Sequence, residues 1–268
     1  MTNLGVAGCG RMGLPMAVAL QEAGFPARGF DVRPAGSYGE FQRFMTDDAS
    51  EFTDKLEVLF TVVRDQMQTD DVLFDKQALI AMAPDLTHIV ICSTLSPKYV
   101  QSLRARVPKH IALIDAPMSG AAIAAKEKRL SFMLGGSDEN IAVVQPYLDA
   151  MGTHFHRMGD FGAGMAAKVL NNLLAASSTV MTRLALDWAE ALEIDQDKLL
   201  ALMHTSSGQT WFGSNFDTIE FARDGFDPEN TIGILKKDVE AAIDGAPDRA
   251  DLTLPRTLIA AIEKLRPL

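Results

Sequence analysis

Three glycines near the start of the chain, Gly8, Gly10 and Gly13, stand in the spacing GxGxxG between an apolar run, Leu4 to Ala7, and the amphipathic pattern Met12 to Ala23. A strand turning sharply into a helix needs the first glycine for the turn, the second so that backbone can approach a pyrophosphate, and the third for close helix–strand packing. The amides at the helix N-terminus then face the phosphates. Asp31 closes the next apolar run, 18 residues beyond Gly13, where a carboxylate accepts hydrogen bonds from the adenosine ribose hydroxyls and repels a 2′-phosphate. Together these residues describe a nicotinamide dinucleotide site with NAD favoured over NADP. Arg33 works against strict selection, because a guanidinium folded back over the loop receives that same phosphate.

A second group stands by itself. Lys168 is the only charged side chain between Asp160 and Arg183, and Asn172, four residues on, projects from the same helical face. Two readings are open for a single ammonium on a small, apolar helix. One is a lysine snorkelling to the surface. The other is a general acid/base, since desolvation and the positive end of the helix both disfavour the ammonium form.

The elements that must position these groups follow from the pattern. Short apolar runs at Leu4 to Ala7, Ala27 to Phe30, Val58 to Val63, His88 to Cys92, Ala112 to Ala116, Leu130 to Leu134 and Thr153 to Arg157 alternate with helical stretches, the order of βαβ units around a mainly parallel sheet. Ser96 ahead of Pro97, and Ser137 ahead of the stretch toward Met151, read as helix N-caps. From Gly164 a long helix rich in small residues reaches about Glu193, and no strand pattern follows. The expected fold is α/β: a Rossmann-type, doubly wound domain over residues 1–162 and an all-helical substrate and oligomerisation domain over 163–268, joined by the long helix at the floor of a cleft.

Composition narrows the partners. A net charge of -10 over 268 residues excludes nucleic acid, which needs clustered lysine and arginine; a small anionic ligand held by local charges is compatible with it. Cys9 and Cys92 are the two cysteines and read as small buried residues of a protein in a reducing compartment. The first strand begins almost at residue 1, without a leader pattern, and Val169 to Thr182, the longest uncharged helical stretch, is too short and too polar for a membrane span. The expected location is the cytoplasm, with no membrane partner. His154 and His156 alternate along a strand, but no third ligand accompanies them, so no metal is expected. Trp211 and Phe212 read as core or cleft lining, and the acidic segment Asp47 to Asp54 as a solvated face.

Over nearly its whole length the chain resembles the β-hydroxyacid dehydrogenases, the group containing 3-hydroxyisobutyrate dehydrogenase and tartronate semialdehyde reductase. Four blocks carry the resemblance in order: GCGRMGLPMA from Gly8 to Ala17; Asp115, Ala116, Pro117, Met118, Ser119 and Gly120, similar to the family's DAPVSGG; the Lys168 helix with its paired asparagines; and Lys237 with Asp238. The resemblance implies Lys168 as general acid/base and Asn172 as its orienting partner. It implies that Ser119, Gly120 and Ala121 hold a substrate carboxylate, that Thr94, after Ser93, neighbours the nicotinamide ribose, and that Lys237 closes over the cofactor. Arg11 and Met12 in the glycine loop, and Val62 and Val63 after the third strand, complete the implied cofactor contacts.

Departures from the family pattern bear on specificity. Ala121 replaces a glycine, Met118 a valine, and Val63 with Arg64 the usual Leu-Pro; Asn230 stands ahead of the Lys237 pair where phenylalanine is common, as a candidate contact for the substrate's variable end. The chain stops soon after Leu265, so a last helical element is expected to be absent or supplied by a partner subunit, and a homo-oligomer, dimer or tetramer, is expected. The reading is a hydride transfer between NAD and a small 3-hydroxy acid or its semialdehyde. An imine or other carbonyl reductase on the same fold, and a non-catalytic NAD(H)-binding sensor, stand as alternatives. Relatives reducing imines place aspartate or tyrosine where this chain has Lys168, and a 6-phosphogluconate dehydrogenase is disfavoured by the short helical domain.

Overall fold

β-Branched and aliphatic runs form the strands of the first unit in the computed structural model, which describes residues 2–268 and divides after Lys168. In chain order the elements are β1 (Leu4–Ala7), α1 (Gly13–Glu22), β2 (Ala27–Phe30), a 3-10 segment (Ala35–Phe44), β3 (Met45–Thr46), α2 (Ala49–Thr53), β4 (Val58–Thr61), α3 (Gln66–Leu73) and α4 (Leu79–Met82). There follow β5 (His88–Ile91), α5 (Pro97–Arg106), β6 (Ala112–Asp115), β7 (Met118–Ser119), α6 (Ala121–Lys126), β8 (Leu130–Gly135), α7 (Asp138–Asp149) and β9 (Gly152–Gly159).

One sheet holds all of these strands, in the order β3-β2-β1-β4-β5-β6-β8-β7, with β9 beside β8. β3 through β6 run parallel, β8 is antiparallel to β6 and β7, and β9 is parallel to β8. This is the doubly wound, mainly parallel sheet expected. Its order reverses between β1 and β4, the switch point at which such sheets open a crevice beyond the strand ends.

The sheet is buried on both faces, and the period of two shows how. Leu4, Val6, Val58, Phe60, Val90 and Ile114 belong to one core with Met16 and Leu20 of α1 and Ile141, Val144 and Leu148 of α7. Their neighbours Ala7, Leu59, Ile89, Ile91 and Leu113 belong to the other, with Phe52 of α2, Leu73 of α3 and Val100 and Leu103 of α5. Alternate residues therefore serve opposite layers of helices, which is why these strands read as continuous apolar runs. Ser96 accepts from the Tyr99 amide and Ser137 from the Asn140 amide, so both expected N-caps form.

Two differences from the sequence pattern are local. β3 and β7 are two residues long and carry no periodicity to detect. β4 ends at Thr61, leaving Val62 and Val63 in the following loop.

The second unit is built on α8 (Ala163–Ala191), followed by α9 (Gln196–His204), α10 (Trp211–Ser214), α11 (Thr231–Asp244) and α12 (Thr253–Ile262); among the described residues no strand follows β9. Ala176 and Val180 of α8 pack with Ile232, Leu235 and Val239 of α11 and Leu258 and Ile262 of α12. A second cluster joins Leu186, Leu200, Phe212 and Phe216, placing Phe212 in the core and leaving Trp211 exposed. Arg183 is buried in α8 and donates to the carbonyls of Ala222, Asp224 and Arg266, tying the C-terminal segment to the helix. Among the described residues no helix is long and apolar enough to cross a membrane.

Candidate active site

Parallel pairing brings the C-terminal ends of β1, β2, β4, β5 and β6 to one edge of the first unit. Gly8, Asp31, Val62, Cys92 and Ala116 follow those ends directly. Gly8 has φ +94, and a Cβ there would lie 2.5 Å from the Val62 carbonyl oxygen and 2.8 Å from Val63 Cγ1. A Cβ on Gly13 would press into the Gly8 carbonyl, whereas one on Gly10 would meet nothing within 4 Å. Two glycines thus serve the turn and the helix contact, and the middle one presents bare backbone to open space. No side chain caps α1, whose N-cap position is Met12 beside the exposed Arg11. This cradle fits a pyrophosphate.

Asp31 directly follows β2, its amide donating to the Thr46 carbonyl. Arg33 donates to it through Nε at 3.1 Å and Nη2 at 3.2 Å and lies over the Tyr38 ring, 5.0 Å from the centroid. Burial pushes the Asp31 carboxyl up, but the hydrogen bonds and charge of Arg33 hold it below the usual carboxylate value. Cys9, beneath this pair, is pushed up to about 12 by burial and then by the Asp31 charge. Cys92 is likewise buried and raised by burial. Both thiols are free and are core residues in their packing.

After β5, Ser93 is buried with its hydroxyl unpartnered, Thr94 is half-buried, and the Leu95 amide donates to Met165 Sδ at 3.3 Å. At the end of β6 the fully buried Asp115 carboxylate accepts from the backbone amides of Gly162, at 2.6 Å, and Met165. β7 then sets Ser119 beside β8, and Gly120 and Ala121 turn the chain into α6 with φ of +129 and +56. Lys168 lies on α8 three residues beyond Met165 and is 6% exposed, so it does not reach solvent as a snorkelling surface lysine does.

In the second unit Asn172 and Asp238 are both buried, and Asn172 Nδ2 donates to Asp238 Oδ2 at 2.6 Å. Lys237 Nζ stands 3.0 Å from Asp238 Oδ1. Asn230 caps α11: its Oδ1 accepts from the Gly233 amide at 3.1 Å and its Nδ2 donates to the Gly225 carbonyl at 2.8 Å. Its side chain is thereby engaged at both ends in local structure.

Residues 3–160 match the NAD binding domain of 6-phosphogluconate dehydrogenase, and residues 162–265 match the family described as NAD-binding of NADP-dependent 3-hydroxyisobutyrate dehydrogenase. The chain belongs to the 3-hydroxyisobutyrate dehydrogenase, or β-hydroxyacid dehydrogenase, family. The 3-hydroxyisobutyrate dehydrogenase of Pseudomonas aeruginosa is 31% identical over 79% of this chain and 72% of its own length. The NAD-dependent L-serine dehydrogenase of the same organism is 29% identical over the same shares. Among solved structures, Mycobacterium tuberculosis 3-hydroxyisobutyrate dehydrogenase with L-serine superposes with a TM-score of 0.82 at 26% identity, covering 99% of this chain and 96% of that one.

As a member of the β-hydroxyacid dehydrogenases the chain is an NAD(P)-dependent 3-hydroxyacid dehydrogenase-like enzyme. Two residues of the region escape a reading by motif alone. Asp115 opens the DAPMSG block but turns inward as the partner of α8, and Asp238, the second member of the Lys237 pair, holds Asn172. The signal for Asp115 in the sequence is a carboxylate at the end of an apolar run, which is costly to bury without partners. His154 and His156 lie exposed on β9, and among the described residues no group of three His, Cys, Asp or Glu side chains is placed to hold a metal.

Proposed function

We propose that the protein oxidises a short 3-hydroxy acid reversibly to its semialdehyde, preferring NAD, with Lys168 as the general acid/base. The observation that carries this reading is the burial of Lys168 on α8, next to the turn that Asp115 ties to the end of β6 and Met165 to the loop after β5. A nicotinamide held there would supply the acceptor and donor of the hydride that the carbinol carbon gives up or receives. Lys168 takes the hydroxyl proton in one direction and returns it to the carbonyl oxygen in the other. Ser119 with the Gly120 and Ala121 backbone holds the substrate carboxylate, and Asn172, fixed by Asp238, orients the lysine.

For the cofactor, Gly8, Gly10, Arg11, Met12 and Gly13 take the pyrophosphate, Asp31 the adenosine ribose, and Val62, Val63, Thr94 and Lys237 the remaining contacts. Residues 1–162 are assigned to the cofactor and 163–268 to substrate and assembly. The substrate class is that of 3-hydroxyisobutyrate and L-serine, the acid and amino acid named for relatives. Asn230 is left out of the substrate contacts, because its cap engages both polar ends.

Lys168→Ala tests the role directly. Turnover of the best substrate among short 3-hydroxy acids is expected to fall by about 10²–10⁴-fold, with NADH affinity unchanged by fluorescence titration. Turnover at the wild-type rate overturns the assignment.

A further inference from the structure

We propose that Asp115 is a positioning residue for Lys168, acting as a tertiary N-cap that fixes where the first turn of α8 presents the lysine. The proposal rests on the reading of Lys168 as acid/base. Gly162 stands before α8 at φ +100 and has no side chain with which to cap it. Asp115 supplies the cap from the end of β6: one carboxylate oxygen accepts the Gly162 amide at 2.6 Å, the other the Met165 amide. Both N–H groups are among those a helix start leaves unsatisfied.

The surroundings are shaped to this carboxylate. A Cβ on Gly164 would lie 2.9 Å from Asp115 Oδ2, and one on Gly135 would lie 2.9 Å from Asp115 Cγ, so glycine flanks the group on α8 and on β8 alike. Met165 is held a second time by the Leu95 amide on its sulfur, at 3.3 Å, and is fully buried in the core. Lys168 follows one helical turn later. The buried carboxylate and the Met165 sulfur together set the register between three segments: the loop after β5 that bears Thr94, the strand end that leads to Ser119, and the turn that leads to Lys168. A general base displaced by about 1 Å from its proton loses on the order of 10²-fold in rate.

Asp115→Asn keeps the shape but turns one acceptor into a donor facing an N–H. With 3-hydroxyisobutyrate or L-serine as substrate, kcat is expected to fall about 10²-fold, while KM and the NADH dissociation constant stay within about threefold. The solvent deuterium isotope effect on kcat is expected to rise, because proton transfer through a displaced lysine becomes limiting. Asp115→Ser, which keeps one shorter acceptor for the two amides, is expected to move kcat and the isotope effect the same way, and decides the matter if the asparagine variant does not fold. Lower melting temperature with wild-type kcat and isotope effect in either folded variant overturns the proposal. Lys168→Ala, run alongside, separates the two failures. Wild-type turnover there removes the acid/base reading itself, whereas an inactive Lys168→Ala beside fully active Asp115→Asn removes only the positioning role.

Discussion

Arg33 grips Asp31 with two nitrogens, Nε 3.1 Å from Oδ1 and Nη2 3.2 Å from Oδ2, while Nη2 also donates to the Cys9 carbonyl at 2.9 Å. A ribose diol competes with Arg33 for the carboxylate, and a 2′-phosphate competes with the carboxylate for Arg33. Asp31→Ala removes the diol acceptor and frees the guanidinium. The ratio of kcat/KM for NADP over NAD is then expected to rise about 30-fold, and Arg33→Ala to lower NADP use while leaving NAD within about threefold. An unchanged ratio in Asp31→Ala would mean that the pair does not select the cofactor.

Asn172 and Asp238 form a buried couple in which Asn172 Nδ2 donates to Asp238 Oδ2 at 2.6 Å. Asn172→Ala strands a carboxylate oxygen without its donor, a loss of about 1–3 kcal/mol. Urea denaturation of the two single alanine variants and the double variant is expected to give a coupling energy of about 1–2 kcal/mol. Additive losses would show that the two side chains are independent in energy as well as separated by sequence.

Ala121 holds φ +56 at the turn into α6, a left-handed conformation that costs an L-residue about 1–2 kcal/mol and glycine almost nothing. Ala121→Gly is expected to stabilise the protein by up to about 1 kcal/mol, read as a higher denaturation midpoint. A midpoint at or below wild type would show that the loop carries no strain at this position.

The cofactor cradle was legible because its information is local. The three glycines, the strand before them and the helix after them lie within Leu4–Glu22, and Asp31 directly follows the very next strand. The position of Lys168 was legible for a different reason: a lone charge on an apolar helix contrasts with everything around it, although the same pattern fits a surface lysine. Asp115 as a cap and Asp238 as the partner of Asn172 were not, since their contacts span 47, 50 and 66 residues and no periodicity couples positions so far apart. Asn230 carries a local signal of its own: a short polar residue directly ahead of Thr231–Asp244 caps that helix.

Leu174, Met181 and Trp188 lie along one side of α8, with Leu192 just past its end, and the four are 74%, 61%, 63% and 69% exposed. The first three recur every seventh residue and form a stripe about 21 Å long, which Leu192 extends. Burying a side chain of this kind gains about 1.5–3 kcal/mol, and a two-fold axis across the stripe would cover four from each of two copies. That gross gain is on the order of the 4–15 kcal/mol that association opposes, which makes a homodimer through α8 the assembly we expect. Trp188→Glu places a carboxylate on the stripe at its largest side chain, where burial would leave it unpaired. By light scattering coupled to size exclusion, the wild type is expected at dimer mass or a multiple of it and Trp188→Glu at monomer mass, with the helical circular dichroism signal retained. A monomeric wild type, or a variant that keeps the wild-type mass, would rule out this face as the interface.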